Sequence, residues 1–458
     1  MPAGPQQVTS FLTALNEVNV RQGVFKMFSE GTFALDMVEK GKFGAMKQAG
    51  ILAERDGKWI RVQAHTDGNP NVGVGVSERH GYPTPGHQQV NALYYRNRKL
   101  VATASHTTEV LAQSETTKQA AINAAALEMR SLIKNCRKRE NWIFLNDGGG
   151  MFTDVAASGN NWDNTAKTLV VSDVSRFKVG MEVVPRNKTS GALGTGWTTG
   201  AKNGVTESKP AKVTAISTAN NTITLKYYDD VAIDIATQTI FNGMGVYPWD
   251  QQGKVPWGLG IACSATNPSV HGFDPASMGV DATGKSNGFG GVDRAATDWF
   301  DAYVLSAGNQ QISIVEHIEP IEDELITREP DLDITENSIV AISRANKWRA
   351  VIHELEAAKR TVTRTKVVEG RYAVVQSGMI TFGWDPDMTA NTMYFFDPKM
   401  IFRLIHDDWH FETKGGSQYS QLSDVWGRPT GEWQVNMLKM GQNVFMSVRP
   451  FAALTNIG

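Results

Sequence analysis

Apolar and polar residues alternate one for one over residues 58–64, with Ile60, Val62 and Ala64 set against Trp59, Arg61 and Gln63. That is the period of a half-buried β-strand. Residues 90–104 form a second extended stretch, and together the two predict a long hairpin. Between them, residues 69–86 hold Gly73, Gly75, Gly81, Gly86, Pro70, Pro83 and Pro85, a connection longer than the roughly 12–15 residues usual inside a compact domain. A two-stranded hairpin is marginal alone in water. With its aromatic Trp59, Tyr94 and Tyr95, this one is expected to dock on another surface; the alternative is a hairpin folded back on its own domain.

The period lengthens over residues 114–136, where Ile122, Ala125, Ala126, Met129, Leu132, Ile133 and Cys136 recur at spacings of three and four. This predicts an amphipathic helix. Lys134, Arg137, Lys138 and Arg139 close it and suit the negative end of the helix dipole. Upstream, residues 11–50 alternate short apolar clusters with Gly23, Gly31, Gly41 and Gly44 and read as broken helical pieces in an extended arm.

Short β-branched runs at 168–171, 181–184, 212–216, 222–228 and 239–241, with a hairpin signal at 218–221, read as an inserted all-β module. Beyond residue 291, helical periods are expected over 295–305, 312–326 and 346–359, with a break or kink at Pro320 because proline lacks the amide donor a helix interior needs. Residues 338–343 read as a buried strand, followed by extended stretches at 372–382, 392–396, 400–406, 433–439 and 443–448. The fold class is therefore α+β.

Composition narrows function more than fold. The 458 residues suffice for about three domains. Their 45 basic and 47 acidic side chains leave a net charge of -2, so no global field draws the chain to nucleic acid or an anionic membrane. The two cysteines, Cys136 and Cys263, lack CxxC spacing and read as inert thiols in a reducing compartment. No run approaches the roughly 18 apolar residues of a membrane span, the first ten residues lack the features of a secretory signal, and a cytoplasmic site of synthesis is expected.

Several motifs match catalytic patterns without their context. Residues 279–286, GVDATGKS, fit the phosphate-loop pattern with Lys285 and Ser286 in the key places. That motif needs a buried strand before it and a helix opening after it, whereas Pro268, Gly272 and Pro275 precede it and NGFGG follows. A phosphate-loop NTPase built on Lys285 and Ser286 is retained as an alternative, as is a carbohydrate- or receptor-recognising surface or tail binding module built on the β-rich insertion. GKSNG at 284–288 matches the nucleophile-elbow spacing, again without strand or helix. His406 and His410 stand four apart as in HExxH, but their surroundings read as extended rather than helical. His353 and Glu354 have no second ligand nearby in sequence, and the acidic residues between 316 and 329 read as a solvated face. No catalytic residue, metal site or cofactor site is assigned.

Taken in order, the arm, the glycine-rich hairpin, the long helix, the stretch GFGGVDRAATDW at 288–299, Asp397-Pro398 after an apolar strand, and the closing segment 433–458 resemble the major capsid proteins of tailed bacteriophages, with the Hong Kong 97-type fold. The resemblance implies an N-terminal arm over 1–55, an extended loop over 56–105, a peripheral domain with its spine helix over 106–165 and 391–458, an axial domain over 255–390, and an inserted β-rich domain over 166–254. It implies a structural, non-enzymatic subunit that assembles with itself into the hexamers and pentamers of an icosahedral head around double-stranded DNA held non-specifically. Portal and scaffolding proteins, and a decoration or cement protein, are implied partners, with the virion as location and the host cytoplasm as the place of assembly. Because aromatic and Arg side chains dominate interface energetics, Trp59, Arg61, Tyr94, Tyr95, Arg96 and Arg98 are the expected intersubunit contacts.

Overall fold

The period-2 segment is the strand Trp59–Asp67, with Ile60 and Val62 buried and Arg61 and Gln63 exposed. The computed structural model in which it lies describes residues 33–41, 53–56, 59–67, 89–107, 118–146, 148–156, 161–188, 190–194, 197, 209–235, 243–249, 251–265, 289–292, 294, 300–329, 338–357, 363–366, 373–377, 379–412, 419–423 and 429–458. The glycine-rich segment 69–86, most of the N-terminal arm and the phosphate-loop match 279–286 lie outside the described residues. The class is α+β, rich in strands with few helices.

Trp59–Asp67 pairs antiparallel with Ala53–Asp56 on one side and Gln89–Arg96 on the other. The second extended stretch is not one strand. It breaks at Asn97, and Arg98–Thr107 leaves the hairpin to pair with Pro429–Phe445 in a different sheet. Pro429–Phe445 is 17 residues long, about 55 Å at 3.3 Å per residue; it covers the expected strand 433–439 and runs on into the expected 443–448, ending at Phe445. Ile401–Phe411 and Tyr419–Ser423 pair with it too, and Glu39–Gly41 of the arm adds a parallel strand on Ile401–Phe411.

The long helix runs Lys118–Leu145, 28 residues or about 42 Å, and so continues nine residues past Cys136, where the expected one ends. Trp142, Ile143, Phe144 and Leu145 in those residues are all buried, so tertiary packing extends the helix beyond its periodic stretch.

The β-rich segment forms a seven-stranded sheet in which every pairing is antiparallel, in the order 153–154, 244–248, 182–187, 211–217, 222–227, 168–170, 162–163. The expected turn at 218–221 joins Ala211–Ser217 to Thr222–Tyr227, with Asn221 at φ 50, a left-handed position that Asn tolerates.

A second seven-stranded sheet is mixed and runs 303–306, 452–455, 393–396, 339–343, 380–384, 373–377, 363–366. Met393–Phe396 and Ala452–Thr455, within the 391–458 expected in the peripheral domain, sit in the interior of this sheet, the first beside Ile339–Ser343 and the second beside the first. Tyr303–Ser306, expected as helix, is an edge strand because it pairs in parallel with Ala452–Thr455. At Pro320 the helix is not interrupted but changes type. A π-turn, Ile314–Ile318, gives way to the α-helix Glu319–Arg328, with Pro320 in the first turn, where its missing N–H costs nothing.

Candidate intersubunit surface

Strand alternation divides the six expected contact residues. On Gln89–Arg96, Leu93 and Tyr95 point inward and are fully buried, while Tyr94 and Arg96 are half-buried on the opposite face. Trp59 is half-buried and Arg61 exposed across the strand pair, with Arg61 opposite Tyr94 and Trp59 opposite Arg96. Arg61 Nη1 stands 3.8 Å from Glu54 Oε2. Trp59, Arg61, Tyr94 and Arg96 thus share one outward face.

Tyr95 and Arg98 do not join it. Arg98, past the break at Asn97, is buried at the start of the next sheet. Residue type selected these two as contacts, whereas strand parity and the change of sheet turn them into the chain's own interior.

The root of the hairpin is held rigidly. The Tyr95 hydroxyl donates to Phe445 O at 2.5 Å and accepts from Phe445 N at 3.2 Å, and its ring meets Trp257 edge-on at 5.4 Å. Burial pushes its phenol pKa upward, so it stays neutral and able to donate. Tyr94 N donates to Gly290 O at 2.8 Å. Gly290 has φ +64, and a Cβ there would stand 3.2 Å from Tyr94 N, so both backbone conformation and close approach call for glycine. Gln442 bridges the change of sheet: its amide donates to Arg96 O at 3.0 Å and its carbonyl accepts from Trp257 N at 2.8 Å. The Gly-Gly-x-Asp-Arg stretch contributes Arg294, which donates to Ile261 O at 3.1 Å and Ser264 O at 2.6 Å, capping the short helix Leu259–Ala262, and stacks 4.4 Å over Phe289.

Sequence reasoning missed a buried charge cluster under the long strands. Glu140 of the long helix accepts from Arg403 at 3.0 Å, from Lys439 at 2.9 and 3.0 Å, and from the Trp409 indole. Arg403 also donates to Leu35 O of the arm at 3.3 Å, so one carboxylate ties helix, arm and both long strands together. Nothing local marks Glu140, since its partners lie more than 250 residues away in the chain.

Asn141, next along the helix, donates to both Asp385 oxygens at 2.9 and 3.0 Å and to Asp387 Oδ2 at 3.1 Å. Burial, with the neighbouring Asp387 adding to it, lifts the Asp385 carboxyl from 3.8 to about 6. Below about pH 4 the group is protonated in folded and unfolded chains alike. As pH rises from there to about 6 the unfolded chain releases the proton first, so stability falls across that window, by about 3 kcal/mol in all. Asp385→Asn is expected to flatten that decline, read from urea unfolding at pH 4.5 and 7.

The remaining motifs acquire no site geometry. His406 and His410 lie on the strand Ile401–Phe411, where residues four apart are separated by about 13 Å, against about 6 Å on a helix. Among the described residues no group of three or more His, Cys, Asp or Glu side chains is placed to hold a metal ion. Cys136 and Cys263 are buried free thiols, and burial pushes Cys136 up to about 12 and raises Cys263 as well. No helix among the described residues is long and apolar enough to cross a membrane.

No protein-family model matches the chain, and no curated protein matches it. Among solved structures it is similar to the capsid asymmetric unit of cyanophage A-1(L), at 11% identity and a TM-score of 0.46, over 92% of this chain and 93% of that one. It is also similar to the capsid of a native GTA particle, at 9% identity and TM-score 0.42 over 94% and 91% of the two chains. The capsid of Myoviridae phage XM1 is matched at 7% identity and TM-score 0.39, over 93% and 91%.

Proposed function

We propose that the chain is a structural major capsid protein, not an enzyme, that assembles with itself into the hexamers and pentamers of a phage head enclosing double-stranded DNA. The observation that carries this reading is the hairpin, whose inner face, Ile60, Val62, Leu93 and Tyr95, is buried in the chain's own core. Its opposite face carries Trp59, Arg61, Tyr94 and Arg96, exposed or half-buried. A strand pair with an anchored root and an aromatic and arginine-rich face suits docking on another copy, where a stable contact buries about 1,600 Å². The long helix, the β-rich sheet and the mixed sheet that follow it in the chain are compatible with that reading. In this reading the near-neutral charge leaves packaged DNA enclosed without tight binding.

Trp59→Ser combined with Arg61→Glu, Tyr94→Ser and Arg96→Glu is expected to leave the monomer folded, because none of the four is in the core, and to abolish large assemblies. Sedimentation velocity beside circular dichroism checks this. Assemblies that persist at parental size would remove the hairpin's outer face from the proposal.

A further inference from the structure

We infer that the β-rich insertion is an internal brace that holds the mixed sheet against the C-terminal half of the long helix, rather than an appended domain on the surface. The inference stands on contacts within one chain and is independent of the shell reading.

The insertion's own core runs without a break onto that helix. Trp142 and Ile143 pack in one apolar cluster with Phe152, Phe177, Val183, Val213 and Leu225, and the Trp142 and Phe152 rings lie 5.3 Å apart. Lys178 adds a bond to Asn135 Oδ1 of the helix at 2.9 Å.

On its other side the insertion exchanges arginines with the mixed sheet. Arg176 reaches out of the insertion, donating to Phe152 O at 2.9 Å and to Asp387 O at 2.9 Å. Arg344, directly after the strand Ile339–Ser343, reaches back to pair with Asp173 and donates to Met388 O at 2.7 Å. The turn 385–388 is therefore gripped by Arg176 from the insertion, by Arg344 from the sheet and by Asn141 from the helix. Lys138 stands 4.0 Å from Asp387. An appended module would meet the rest of the chain through few and solvated contacts. Here the joint is partly buried, and its bonds run in both directions.

If the insertion braces the joint, weakening the clasp must loosen the turn 385–388 and leave the insertion's own strands intact. Asp173→Asn keeps the bond that residue 173 accepts from Ser175 N and removes the charge facing Arg344. Arg176→Ala removes the reach to Asp387. In amide hydrogen exchange of the full chain, both variants are expected to exchange tenfold or more faster than the parent at residues 385–388, with Ala211–Ser217 and Thr222–Tyr227 unchanged. Should Arg176→Ala fail to fold, Asp173→Asn carries the test. A smaller change at 385–388, or acceleration confined to the insertion's strands, overturns the inference.

Discussion

Glu140→Ala is expected to lower folding stability by about 3–5 kcal/mol, the usual result of stripping one partner from a buried ion pair. The side chains of Glu140, Arg403 and Lys439 are 10%, 12% and 9% exposed, so the variant leaves two buried cations without their shared carboxylate, and only the largely exposed Asp408, 3.7 Å from Lys439, remains near. The intact pair is not itself a large source of stability, because burying three charges costs nearly what their attraction returns. The asymmetry makes the variant informative. Glu140→Gln keeps the volume and one acceptor for the Trp409 indole but not the charge, and is expected to recover only part of the loss. Urea unfolding followed by tryptophan fluorescence reads both. A Glu140→Ala midpoint indistinguishable from the parent's would show that the cluster is solvated and does not clamp the long helix to the strands.

Tyr95→Ala is expected to cost about 3–5 kcal/mol, as large aromatic truncations in a core do. The ring is fully buried between Trp257 and Phe289, and its hydroxyl both donates to and accepts from Phe445. Tyr95→Phe separates the two contributions: it keeps the packing, leaves Phe445 O without that donor, and is expected to cost about 1–3 kcal/mol. The functional consequence is local. With the root released, amides of Trp59–Asp67 and Gln89–Arg96 are expected to exchange faster in Tyr95→Ala than those of the mixed sheet. Equal acceleration in both regions would mean that Tyr95 supports the whole core and not the hairpin in particular.

What the sequence made legible follows the range of the interactions concerned. The alternation of Ile60 and Val62 against Trp59 and Arg61, the helical period before Cys136 and the turn at 218–221 are all set by neighbours a few residues apart, and each is present in the fold. The destinations of Arg98–Thr107, Met393–Phe396 and Ala452–Thr455 were not legible. Strand pairing across hundreds of residues leaves no local trace, and an apolar run reads alike in either sheet. Tyr303–Ser306 illustrates the cost: its sequence tolerates a helix, and a partner about 150 residues downstream makes it a strand. The candidate surface was half legible. Chemistry picked out aromatic and arginine residues, while burial divided them by parity, sending Tyr95 and Arg98 inward. Glu140 and the Arg176–Arg344 clasp had no signal, because their partners are distant in the chain and ordinary in type.

Electron microscopy of the purified full-length chain under assembly conditions tests the central claim most directly. The account predicts closed icosahedral shells containing both sixfold and fivefold clusters of subunits, with the Trp59, Arg61, Tyr94 and Arg96 face of each hairpin resting on a neighbouring copy. A chain that stays a monomer or a single small oligomer under every condition tried, or shells in which that face points to solvent, would contradict it.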